Sequence, residues 1–250
     1  MTGDAAVAVS KKEIKPIWRT LQFSVVPFFQ AIVSISREGS ANVPREGAFV
    51  IAPNHTSNID PIIMGIAVFK AGRTPHFLGK ASLFGIPIVK HLLKATGQIP
   101  VERAGVNRAN PLATARLVAS RGSGVIVYPE GTLTRDPGLW PMRGKTGAVR
   151  LALGADIPLI PAAHWGTERF LPPYGRWLRI IPRQHITIRF GEPVDLSDLQ
   201  GRGLEQAVVT EATDRLMTAI TALLADLRQE QAPAERWDPA DHNQTEFGHP

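Results

Sequence analysis

The chain contains no cysteine among its 250 residues. That excludes disulfides, a thiol nucleophile and thiolate metal sites, and it agrees with a reducing compartment such as the cytosol. No Gly-x-Ser-x-Gly elbow is present, so a serine hydrolase has no visible nucleophile. The seven histidines show neither His-Glu-x-x-His nor another ligand spacing, and neither a metal nor a bound cofactor is expected. The stretch Gly138 to Thr146 looks like a phosphate-cradling loop but has five residues between its glycines, where that motif has four, and Trp140 and Pro141 stand where small residues are wanted. An NTPase is set aside on that mismatch. Long apolar runs are also lacking. Ile14 to Ser36 carries no charge between Arg19 and Arg37, but Thr20, Gln22, Ser24, Gln30, Ser34 and Ser36 interrupt it and Pro27 should kink it. A spanning helix needs about 20 apolar residues. No signal peptide is readable, because the N-terminus starts polar and no small-residue cleavage pattern follows an apolar core.

What is present suits an α/β fold. A hydrophobic content of 44% with 20% charged residues can fill a sizeable core. The formal charge of +6 favours an anionic partner, whether lipid headgroup, nucleic acid or phosphorylated metabolite. Nucleic acid is the poorest of these, because the Lys and Arg residues are spread out, without aromatic clustering or a recognised module. Preceded by Lys11, Lys12 and Lys15, the segment Ile14 to Ser36 reads as an amphipathic helix lying in the headgroup layer of an anionic membrane surface. Packing on the protein's own core is the alternative reading.

From Gly47 short apolar runs alternate with helical stretches, which predicts a single αβα-type domain with a mixed β-sheet. The strands are expected at Ala48–Ala52, His76–Leu78, Gly124–Tyr128, Leu159–Ala163 and His185–Phe190. Helices are expected at Pro61–Lys70, Ile86–Ala95, Pro111–Ser120, Thr146–Leu153 and Leu204–Leu227. The chain thus divides into a membrane-associating helical segment (1–46), a catalytic domain (47–228) and a polar, aperiodic tail (229–250) expected to be disordered.

The candidate chemistry begins after the first of these strands, in Asn54-His55-Thr56-Ser57-Asn58-Ile59-Asp60. Positions five apart on a continuous helix diverge by about 140°. If the helix starts between His55 and Asp60, with Ser57 or Asn58 as its cap and Pro61 in its first turn, the loop can fold back. The carboxylate then binds one ring nitrogen and leaves the other as a base of fixed tautomer. Alone this spacing is a weak signal. Gly97 to Arg103 adds an apolar stretch ending in arginine, suited to bidentate capture of a phosphate or to a surface ion pair. Val125 to Thr132 runs from a strand into Pro129-Glu130-Gly131-Thr132, an ordinary turn or one whose Gly131 and Thr132 amides face an anion. Glu130 there could bind glycerol hydroxyls or hold Arg103.

Together with Ile157-Pro158-Leu159-Ile160-Pro161, these blocks resemble the 1-acylglycerol-3-phosphate acyltransferases and related glycerolipid acyltransferases, in order and spacing from about Gly47 to His164. The resemblance implies His55 and Asp60 as the catalytic dyad and Arg103, Glu130, Gly131 and Thr132 as acceptor-binding residues, with Pro161 ending a block on the acyl side. It implies acyl-CoA or acyl carrier protein as donor, a lysophospholipid as acceptor, lysophosphatidic acid first among them, and a peripheral or monotopic location on the cytoplasmic face of the membrane. Another lysolipid or glycolipid acceptor, or a non-catalytic lipid binder of the same fold, is the alternative. The chain departs from the family where Leu133 and Thr134 replace the usual Arg-Ser, leaving Arg135, Arg143 and Lys145 as substitute cations. His164, where Ala or Gln is common, reads as structural, because no Asp or Glu stands at motif spacing from it.

Overall fold

A computed structural model describes residues 16–80, 85–101 and 111–244. In chain order the elements are α1 (Pro16–Ile32), β1 (Val33–Glu38), β2 (Phe49–Pro53), α2 (Asp60–Lys70), β3 (His76–Lys80), α3 (Pro87–Thr96) and β4 (Ile99–Val101). There follow α4 (Pro111–Arg121), β5 (Gly124–Ile126), α5 (Gly147–Ala155), β6 (Leu159–Trp165), α6 (Thr167–Phe170), β7 (Gln184–Phe190) and α7 (Gln206–Arg228).

The seven strands form one sheet in the order β1-β7-β6-β2-β5-β3-β4. Every neighbouring pair is parallel except β6 with β7, so the sheet is mixed. β2 lies at its centre, and all five of its residues are buried, as a strand covered on both faces requires. Phe49 and Ile51 point to the layer that holds Phe29 of α1 and Ile63, Met64 and Ala67 of α2. Val50 and Ala52 point to the other layer, with Ala115 of α4, Val149 and Leu151 of α5 and Val209, Leu216 and Ile220 of α7. The architecture is helix, sheet, helix. Gly124 lets β2 and β5 close up, because a Cβ there would come within 2.2 Å of the Phe49 ring. Arg73, fully buried, fastens the far end of β2 to its surroundings by donating to the carbonyls of Pro44, Gly47 and Gly122 while its guanidinium lies over Phe49.

Two expectations need correction. The N-terminal helix ends at Ile32, and residues 33–38 form an edge strand paired with β7 from Val33↔Gln184 to Glu38↔Arg189. The β-branched and alternating Val33-Ser34-Ile35-Ser36 prefers a half-buried pleat once a partner strand is there, and local sequence does not show that partner. From Pro16 on, the segment before Gly47 is therefore built into the domain. The tail is likewise structured as far as Gln244. Its Trp237 carbonyl accepts the Arg143 amide at 2.9 Å, Arg236 donates to Thr218 at 2.5 Å, and Trp237 stacks on His242. Polar composition is offset there by specific partners on the domain. No described helix is long and apolar enough to cross a membrane.

Candidate active site

In open α/β sheets the space beyond the carboxyl ends of the central strands is where functional loops gather. Three such ends meet in this protein. His55 is two residues beyond β2, Tyr128 two residues beyond β5, and His164 is the next-to-last residue of β6.

His55 Nδ1 lies 2.9 Å from Asp60 Oδ2. The fold-back that the sequence requires is produced by the same oxygen, which also accepts the amides of Thr56 and Ser57, both at 2.8 Å. Asp60 is the first residue of α2, where a carboxylate also meets the positive end of the helix dipole. Ser57 does not cap that helix through its side chain. The residue before α2 is Ile59, and the Ser57 hydroxyl instead donates to the carbonyl of Leu171 at 2.6 Å. Burial by itself raises the Asp60 carboxyl, but the neighbouring His164, the bond and charge of His55 and the Ser57 amide outweigh it and hold the carboxyl below its ordinary value. An ionised Asp60 can only accept, so Nδ1 of His55 carries the proton and Nε2 is the basic nitrogen. The imidazole is 15% exposed, and its Nε2 has no hydrogen-bond partner among the described residues. Tyr128 stacks on the ring at 4.1 Å between centroids and fixes its plane.

Glu130 is placed differently from its expected role. It is 1% exposed, and its two oxygens accept the backbone amides of His55 at 2.9 Å and Met142 at 3.2 Å. It positions the loop that carries the base, and its burial keeps it away from a ligand. Burial is the main reason its carboxyl is pushed up to about 8; the charge of Asp60 adds to this, while the two amides and Thr134 oppose it. The unfolded chain ionises this group at its ordinary value of 4.5. Stability drawn from the raised value is thus complete below pH 4.5 and is lost as pH rises through about 8. We expect melting temperature to fall from pH 5 to pH 9, and Glu130→Gln to flatten that slope while lowering the whole curve, since an amide can accept only one of the two N–H groups. A slope unchanged in Glu130→Gln, followed by calorimetry across that range, would assign the titration to another group.

Gly131 is also employed internally. At φ +75° it closes the turn by donating its amide to the Tyr128 carbonyl at 3.1 Å, so this N–H does not face an anion as expected. Thr132 is half-buried, and neither its amide nor its hydroxyl has a partner among the described residues. Lys145 lies over the same turn. Its amide donates to Pro129 O at 2.7 Å, and its Nζ is 3.5 Å from where a Gly131 Cβ would stand. Leu133 fills core, and Arg135 is buried at 6% exposure. Arg143 is spent on an ion pair with Asp238. Pro161 is buried in β6, in register with Ala52 on the face that α7 covers, and so lies across the sheet from α2 and the dyad. Arg103 lies outside the described residues. β4 runs parallel to its one neighbour, β3, and ends at the same edge of the sheet as β2.

Asn54, to which the sequence assigned no role, and His164, read there as structural, complete the site. Asn54 bridges β2 to β6, donating to His164 O at 3.1 Å and accepting the His164 amide at 2.9 Å. His164 is 1% exposed and so cannot meet a ligand. Its Nε2 donates to Asn54 O at 2.8 Å and stands 3.5 Å from Asp60 Oδ2, while Nδ1 shares a hydrogen bond with the Thr167 hydroxyl at 3.2 Å. It is a structural histidine whose acidic neighbour is 104 positions away in the chain, a pairing only the β2–β6 register reveals.

A family model described as Acyltransferase matches residues 34–165, which is more than half of the chain. The chain belongs to the acyltransferase family. It is 28% identical over 199 residues to the 1-acyl-sn-glycerol-3-phosphate acyltransferase of Salmonella typhimurium, covering 78% of this chain and 74% of that one. To the enzyme of the same name from Bacillus subtilis it is 27% identical over 176 residues, 70% of this chain and 81% of that one. The chloroplastic 1-acyl-sn-glycerol-3-phosphate acyltransferase of Brassica napus is 26% identical over 64% of this chain, which spans only 43% of that relative's length. The crystal structure of the 1-acyl-sn-glycerophosphate acyltransferase from Thermotoga maritima superposes with a TM-score of 0.57 at 22% identity, over 88% of this chain and 86% of that one. That likeness is one of fold. The family match begins inside β1 and ends with the last residue of β6, so in this acyltransferase the edge strand is part of the family unit, as the structure requires.

Proposed function

We propose that this acyltransferase moves a fatty acyl group from a thioester, acyl-CoA or acyl carrier protein, to the free hydroxyl of lysophosphatidic acid, giving phosphatidic acid for phospholipid biosynthesis. The observation that carries the reading is the 2.9 Å contact between Asp60 Oδ2 and His55 Nδ1, which leaves Nε2 as a base of fixed tautomer. Nε2 takes the hydroxyl proton as the oxygen attacks the thioester carbon. A C–O bond forms, the tetrahedral intermediate expels the thiolate as the C–S bond breaks, and the imidazolium returns its proton to that sulfur. No covalent acyl-enzyme arises and no metal or cofactor takes part, so donor and acceptor must be bound together and the kinetics are sequential. The half-buried Thr132, whose amide and hydroxyl have no partner among the described residues, and Lys145 over the same turn supply donors for the acceptor phosphate or the oxyanion. Arg103 is the proposed phosphate clamp. The work takes place at the cytoplasmic face of the membrane, with the protein held peripherally.

The test is purified protein with labelled palmitoyl-CoA and a panel of lyso-acceptors. Lysophosphatidic acid should be the best acceptor. Arg103→Ala should reduce use of phosphate-bearing acceptors at least about tenfold more than use of neutral ones, on the scale of one charge-assisted bidentate contact. Equal losses on both would remove Arg103 from phosphate binding, and no transfer to any lysolipid would overturn the proposal.

A further inference from the structure

After α6 the chain leaves the domain as a loop, 171–183, before returning as β7. Its distal part is unusual. All eight positions from 176 to 183 are exposed, among them Trp177 at 85% and Ile181 at 86%, together with Arg176, Arg179 and Arg183. No Asp or Glu occurs between Glu168 and Glu192. Water gives such residues no reason to stand together. A tryptophan and bulky aliphatics held outward between arginines match the layer where hydrocarbon meets charged headgroups, because the indole is amphipathic and the guanidinium can stay with phosphate.

The loop is fixed at its base, so its exposed part has a defined place. Leu171 O accepts the hydroxyl of Ser57 at 2.6 Å, two residues beyond His55. Phe170 meets Phe29 of α1 edge-on at 6.5 Å, and Arg183 donates to Gln30 O at 2.5 Å. The loop therefore adjoins the C-terminal end of α1, where Phe28 is 57% exposed. Phe28 meets Phe29 edge-on at 5.4 Å, so its exposed ring continues the row of aromatic contacts that starts at the base of the loop.

We propose that the 172–183 loop, together with Phe28 at the adjoining C-terminal end of α1, forms a docking surface for an anionic phospholipid bilayer, with the loop as its end nearest the catalytic turn. The inference rests on the lipid-acceptor reading above only for its purpose. An acceptor whose headgroup already lies at that interface then has a short path to His55.

Flotation of the full chain with phosphatidylglycerol and with phosphatidylcholine vesicles tests this. Trp177→Ser with Ile181→Ser should lower the partition coefficient on phosphatidylglycerol at least about tenfold. Arg176→Gln with Arg179→Gln should lower it by about fivefold per charge and bring it towards the phosphatidylcholine value. Because these side chains are exposed, the melting temperature should not change. Transfer to a short-chain lysophosphatidate dissolved as monomers should also persist in both variants. Wild-type partitioning in the Trp177/Ile181 variant would overturn the proposal, as would wild-type protein that fails to float. A wild-type protein that floats but transfers to no dissolved acceptor would sink the proposed reaction and leave the docking surface standing.

Discussion

Replacing His55 by Ala should lower turnover at least about 10²-fold, and up to about 10⁴-fold, the range over which a positioned general base contributes. The loss should fall on kcat, because the ring contributes its proton transfer to the transition state and little to ground-state binding. The fold should tolerate the change. The side chain is partly exposed, and the His55 backbone remains clamped by Glu130 Oε1 on its amide and by the Thr134 amide on its carbonyl. Steady-state kinetics with melting curves on the same preparation check both statements, and a kcat within about threefold of wild type would mean that another group takes the proton.

The second large effect concerns Asp60. Asn keeps the shape, and its single carbonyl oxygen can still accept the Thr56 and Ser57 amides that converge on Oδ2. What it removes is the charge that holds Nδ1–H in place and stabilises the imidazolium, in a pocket where the carboxylate is fully buried and held below its ordinary value. Turnover of Asp60→Asn should fall by about 10²-fold or more. Asp60→Ala should be worse for the fold, because three donors lose their common acceptor. Calorimetry should therefore separate the two variants even where their activities are both low.

Much of the scaffold was legible in the sequence. The strands β2, β5, β6 and β7 announce themselves as short apolar runs between turn residues, and α2, α4 and α7 by their apolar period. β1 was not, because an alternating strand that directly follows an amphipathic helix continues its apolar pattern and depends on a partner about 150 residues away. In the site, the His55–Asp60 contact could be anticipated because the helix start lies between them. The use of Glu130 could not, because its partners are backbone amides, which leave no trace in side-chain identity. Nor could the inward donation of Gly131, or the displacement of Pro161 to the far face of the sheet, which depends on strand parity in β6. The most exposed apolar side chain of the 171–183 loop, Ile181, reads in sequence as an ordinary stretch of Pro, Arg and Ile and acquires meaning only through exposure.

The account depends on His55 and Asp60 acting as one unit, and a double-mutant cycle measures that directly. Turnover should be determined for His55→Ala, Asp60→Asn and the double variant against lysophosphatidic acid. If Asp60 works through the ring, its substitution should cost less than about threefold once His55 is already Ala, a strongly non-additive pair. If the two losses multiply, Asp60 contributes to turnover without His55, and the dyad is not the source of the chemistry.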